Sequence, residues 1–142
     1  MTDLHQTRHK NKTLAAFLAF LCGGLGLQRL YLHGWRDPWL WAHLACLPAA
    51  LLVALAAPQA DNFYKLLPII VSGLAGFLEA LVIGVTADEK WDARYNPRSG
   101  RQSDTHWPVA VVLVASMMIG SGGLIATISR LFDLLYTGGA YG

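Results

Sequence analysis

The sequence predicts an all-α fold: a polytopic membrane protein, a bundle of about four transmembrane helices. Three observations carry this. Of 142 residues, 54% are hydrophobic and only 14% are charged, against roughly 25% charged in soluble domains. The charges are concentrated in a few segments, which leaves four apolar stretches nearly free of them. Tryptophans and basic residues gather at the edges of these stretches, where headgroups would lie. A net charge of +2 is too small to imply a nucleic-acid partner. Cys22 and Cys46 both sit in apolar runs and do not form a secreted disulfide framework.

The elements follow in order. A polar leader, Met1 to Lys12, holds His5, Arg8, His9, Lys10 and Lys12. The first apolar run, Thr13 to Leu27, is shorter than the ~20 residues of a straight spanning helix. It reaches that length only by taking in Leu30, Tyr31 and Leu32 around Arg29. No small-x-small cleavage site ends it, so it reads as retained. Gly34 to Pro38 is a turn, with Asp37 as N-cap and Pro38 at the first helical position of a second span, Trp39 to Ala57. Pro48 removes a backbone donor inside that span and predicts a kink. A third span covers Leu66 to Val85. Asp88 to Trp107 reads as a solvated loop of mixed charge. A fourth span runs from Pro108 to Ile128 and can continue as an amphipathic piece, Ser129 to Tyr136. Residues 1–57 thus form a hairpin with a basic leader. Residues 58–142 add a second helix pair in the same structural unit.

Charge placement predicts orientation, since Lys and Arg in short loops stay cytoplasmic. The long loop carries Lys90, Arg94, Arg98 and Arg101, and the first turn carries Arg29 and Arg36. Both are predicted to be cytoplasmic. The leader conflicts with this. If the first run crosses fully, which is the expectation, its basic residues lie outside. If the run is re-entrant, all basic segments share one side.

The residues from Gly23 to Leu32, Gly-Gly-Leu-Gly-Leu-Gln-Arg-Leu-Tyr-Leu, resemble the TM-two domain family over about residues 10–57. The matching positions are Gly23, Gly24, Gly26, Arg29, Tyr31 and Leu32. Gln28 stands where that family has histidine, Leu30 where it has phenylalanine and His33 where it has glycine. The resemblance implies two membrane helices joined by a tight loop, and no enzymatic activity. It also points to a bacterial inner membrane.

Several residues are candidates for function. Small residues recur at helical spacing: Ala15, Ala19 and Gly23, then Gly73, Gly76 and Ala80, then Ser116 and Gly120. Such faces let helix backbones approach closely in lipid. With Gly24 and Gly26 in the turn, they are read as packing positions. Glu79 is the acidic residue well inside a span and is expected to be a neutral acid hydrogen-bonded to a neighbouring helix. His43, Ser72 and Ser116 are the other intramembrane polar candidates. Arg29, Tyr31 and Arg36 are read as lipid or partner contacts at headgroup depth. No ligand spacing suggests a metal, and no cofactor fingerprint or catalytic constellation is evident.

These readings predict a non-catalytic integral membrane protein. It would act as a scaffold or accessory subunit on the bilayer, with another membrane protein or a second copy as partner. The alternative is an oligomeric transporter or channel component that uses Glu79 with Ser72, Ser116 and His43 as a polar path.

Overall fold

The computed structural model describes residues 8–141, so the first part of the polar leader lies outside the described residues. All regular structure among them is helical. The helices are α1 (Lys12–Cys22), α2 (Leu27–His33), α3 (Pro38–Ala56), α4 (Asn62–Val85), α5 (Asp88–Tyr95) and α6 (Trp107–Thr137). Three of them, α3, α4 and α6, are long and apolar enough to cross a membrane. That is one fewer than the sequence suggested.

The difference lies in the first apolar run. Asn11 caps α1 by accepting from Leu14 N–H at 3.1 Å. The helix then lasts 11 residues, a rise of about 16 Å. A 3-10 turn, Gly23–Leu25, and Gly26 at φ +71° reverse the chain. That φ is open to glycine at little cost, and the position is also crowded. A Cβ on Gly26 would lie 3.2 Å from both the His43 Cβ and the Leu40 Cδ1. Helix α2 then runs back toward the start of α1. Lys10 Nζ donates to Leu32 O, and Asn11 N–H donates to the Tyr31 hydroxyl at 2.9 Å. The segment doubles back on itself, and its apolar helix is not among the three that are long and apolar enough to cross a membrane, where the sequence suggested a full crossing. The physical reason is length: 11 residues plus a glycine reversal cannot cover the ~30 Å of a hydrocarbon layer.

Helix α4 is central and packs against α1, α3, α6 and the Gly23–Leu25 turn. The expected small-residue faces make this possible. Ala15, Ala16, Ala19 and Ala80 are fully buried. A Cβ added to Gly76 would lie 2.5 Å from Gly23 Cα, and one on Gly24 would lie 3.4 Å from Gly73 Cα. One on Gly120 would meet Phe77 Cβ at 3.0 Å. Gly73 itself has open space at its own Cβ position. It contributes by being approached.

Helix α3 is capped as expected, with Asp37 Oδ1 accepting from Trp39 N–H at 2.9 Å, and it continues through Pro48. Asp61 caps α4 in the same way, at 2.8 Å from Phe63 N. Helix α6 runs unbroken for 31 residues, so Ser129–Tyr136 continues the helix of the fourth span.

The Asp88–Trp107 segment is more than a solvated loop. It contains α5, whose Trp91 is 1% exposed and donates from Nε1 to Lys10 O at 3.0 Å. Asn96 grips the Lys10 backbone on both sides, accepting from its N–H at 2.7 Å and donating to its carbonyl at 3.0 Å. Lys12 reaches Asp88 at 3.0 Å and also donates to Thr86 O. The N-terminal arm of the hairpin, α2 and α5 therefore sit at one end of the molecule. Arg130 pairs with Asp61 at 3.1 Å at the other end.

Gly76→Ala should destabilise the fold by about 1–3 kcal/mol, the usual range for overpacking, read as a lower midpoint of thermal unfolding in detergent. Gly122→Ala, with nothing within 4 Å of the added Cβ, should be neutral or stabilising.

Burial pushes the Asp88 carboxyl up, but the Thr105 hydroxyl and N–H and the Lys12 ammonium outweigh it and hold it below the usual carboxylate range. A depressed folded-state pKa contributes stability above the unfolded value and loses it as pH falls through the folded value. Hydrogen exchange of residues 86–106 should therefore accelerate, after correction for the intrinsic rate, only below about pH 4. Asp88→Asn should remove most of that transition.

Candidate functional site

The hairpin reversal and the α2 helix place a polar cluster against one face of α4. Ser72, Gly76 and Glu79 lie on that face at spacings of four and three residues, close to one helical turn. Gly76 supplies no side chain, so the hairpin can approach there. Glu79 sits about one and a half turns from the C-terminal end of α4, within reach of α2.

Arg29 Nε donates to Glu79 Oε2 at 2.8 Å, and Gln28 Nε2 donates to the same oxygen at 2.8 Å. The other carboxylate oxygen faces His43 Nε2 at 3.3 Å. His43 Nδ1 lies 2.7 Å from Ser72 Oγ, which donates to Gly24 O at 2.7 Å. A serine hydroxyl has a single proton. The carbonyl can only accept, so that proton is directed to Gly24, and His43 bridges Ser72 and Glu79 through its two ring nitrogens. One chain of contacts therefore joins the hairpin reversal, α3, α4 and α2.

A second carboxylate steadies the arginine. Asp37 Oδ2 lies 3.8 Å from Arg29 Nη1 and 3.1 Å from His33 Nδ1. Neither contact has aligned hydrogen-bond geometry, and Oδ2 has no hydrogen-bond partner among the described residues. Burial is the main influence on His33 and holds its pKa below the ordinary histidine value, against the pull of Asp37.

The structure therefore gathers Glu79, His43, Ser72 and Arg29, as candidates picked from sequence, into one network. It leaves Ser116 out. Ser116 is fully buried, and its hydroxyl has no hydrogen-bond partner among the described residues. The expectation of a neutral Glu79 took no account of an arginine counter-charge, because Arg29 was read as facing headgroups. Tyr31 likewise turns inward: it packs against the apolar core and accepts from Asn11. Arg36 is exposed. No group of three or more potential metal ligands occurs among the described residues.

Gln28 and Asp37 were missed as members of the network. Gln28 is 0% exposed. A glutamine directly after a glycine reversal in an apolar run is a polar group that needs an internal partner, and that was the available signal. Asp37 was recognised only as a helix cap.

Beside the cluster lies an open cleft of about 540 Å³ between α3 and α4. Arg29, His43, Glu79, Arg94 and Tyr95 line its polar end. Ala42, Cys46, Val71, Ala75, Leu78 and Val82 line the rest.

The chain matches no family model, and no curated protein or solved structure matches it either.

Glu79→Gln, which sequence reasoning expects to be benign, should now cost about 1–3 kcal/mol, because it leaves a partly buried guanidinium with only the more distant Asp37 as counter-charge. The double substitution Arg29→Leu with Glu79→Leu should recover part of the loss, since removing both charges avoids an orphan. Thermal unfolding of the three proteins in one detergent checks this. A silent Glu79→Gln would mean that the pair does not hold the hairpin.

Proposed function

We propose that this chain is a multi-pass protein of a bacterial inner membrane, with three crossing helices and one re-entrant hairpin. It acts without catalysis, as a scaffold or accessory subunit. The orientation rests on charge. Of the eleven Lys and Arg residues, nine belong to the leader, the first turn and the 88–106 segment, and only Lys65 and Arg130 lie toward the other end. The positive-inside rule assigns the nine-residue end to the cytoplasm. A doubled-back hairpin resolves the conflict that full crossing created, because the leader then shares that side. The TM-two resemblance remains part of this reading, with its first helix shortened to a re-entrant arm.

The observation that carries the accessory role is the cross-linking of the cluster's polar groups, in which Gln28 Oε1 and Asp37 Oδ2 are the only buried side-chain atoms left without a hydrogen-bond partner among the described residues. Arg29, Gln28, His43, Ser72 and Glu79 bond to one another and so hold the hairpin to α4. The outer face of α6 exposes Met117, Met118, Ile125 and Phe132, a surface for lipid or a partner helix. The alternative, a transporter or channel component, draws on Glu79 and His43 lining an open cleft. Ser116 does not extend that path.

Two measurements test the proposal. In a background with Cys22 and Cys46 replaced by alanine, Arg8→Cys and Gln102→Cys should resist membrane-impermeant thiol reagents in intact cells, while Gln59→Cys should react. Proteoliposomes carrying the protein should show no Glu79-dependent proton or cation flux, and a photo-crosslinker at Met118 or Ile125 should trap a discrete protein adduct in native membranes. Flux abolished by Glu79→Gln at unchanged incorporation would replace the accessory role with transport.

A further inference from the structure

We propose that the cleft between α3 and α4 is a binding site for one anionic phospholipid of the cytoplasmic leaflet. The inference rests on the membrane reading above and adds a ligand to it.

The shape comes from small residues. Ala42 and Cys46 are one helical turn apart on α3, and Ala75 lies on the facing side of α4. Side chains of this size leave a furrow where leucine or phenylalanine would close it. Val71, Leu78 and Val82 share the α4 face with Ala75 at helical spacing and make an apolar wall suited to an acyl chain. The volume of about 540 Å³ falls within the range of small-molecule sites.

The polar end gives the ligand its sign. Glu79 is committed to Arg29, Gln28 and His43, and Arg29 is balanced by Glu79 and Asp37. Arg94 differs. It is exposed and makes no salt bridge among the described residues, and its guanidinium lies 5.5 Å from the Tyr95 ring centroid. It stands at the rim as an uncompensated cation, at the end of the molecule that carries most of the basic residues. A guanidinium can bind phosphate with two parallel hydrogen bonds, and anionic headgroups are concentrated at the cytoplasmic surface. Trp39, also at the cleft, is largely exposed and suited to interfacial depth. An apolar furrow that ends in an unpaired arginine at headgroup level fits an acidic lipid better than a zwitterionic one.

The test uses the full chain in nanodiscs of phosphatidylcholine, with phosphatidylglycerol added in steps, followed by native mass spectrometry of the released protein. The wild type should retain one phosphatidylglycerol molecule in preference to phosphatidylcholine. Arg94→Gln should weaken that preference about tenfold, and Ala75→Phe, which fills the furrow, should abolish retention of either lipid. Arg101→Gln, an exposed charge outside the cleft, should change nothing. Inorganic phosphate at matched concentration should not displace the lipid. Equal retention of the two lipids, or equal effects of the Arg94 and Arg101 substitutions, would overturn the site and leave only general surface attraction. Displacement by phosphate would overturn the lipid as ligand. Failure to enter nanodiscs at all would overturn the membrane reading together with the site.

Discussion

The contact between Arg29 and Glu79 is the constraint on which the rest of this structure depends. An 11-residue apolar helix has too little surface to hold its own position, and isolated helices of that length are marginal. It needs an anchor at its far end, after the chain has reversed. The guanidinium on α2 meets the carboxylate on α4 at 2.8 Å. Asp37 restrains the guanidinium from one side, and Gln28 and His43 restrain the carboxylate. The Gly23–Gly76 approach makes this geometry accessible, since any side chain at either position would hold the hairpin too far from α4. Close backbone packing and the ion pair are therefore two halves of one device.

The same device organises charge over the whole molecule. Because the hairpin doubles back, Lys10 and Lys12 lie beside α5 and the end of α4, where Asp88, Trp91 and Asn96 bind them or their backbone. A crossing first helix would separate these groups by the thickness of a membrane. The basic residues end up on one side, as the energetics of membrane insertion favour, and the opposite end is tied by Arg130 to Asp61 and Asp133. On the proposed reading, the cleft inherits its sign from this sorting: its mouth lies at the basic end and its walls lie along the apolar middle.

Much of the helical layout was legible in the sequence. The third and fourth spans, the Asp37 cap and the small-residue faces of α1 and α4 follow from local rules about length, capping and packing. Glu79, His43 and Ser72 stood out because polar groups inside apolar runs need partners. What the sequence hid was non-local. Whether a 15-residue apolar run crosses or turns back depends on what waits for it on α4, and nothing within residues 12–33 states that. Arg29 looked like a headgroup anchor because its partner lies 50 positions away. Trp91 looked like a loop residue because its burial comes from Lys10 and the hairpin, 81 positions distant. Ser116 erred the other way: it was grouped with Glu79 in one polar path, but being polar inside an apolar helix does not fix which way a side chain faces.

The re-entrant hairpin is the claim on which the network, the charge sorting and the cleft all rest, and a distance tests it most directly. Spin labels on Lys10→Cys and His33→Cys, with Cys22 and Cys46 replaced by alanine, would be measured by electron paramagnetic resonance in lipid bilayers. The hairpin predicts a narrow distribution at about 20 Å or less, because the neighbouring residues Asn11 and Tyr31 share a hydrogen bond that the labels leave in place. A first helix that crosses the membrane would place the labels at least ~30 Å apart, the thickness of the hydrocarbon core, and that result would contradict the account.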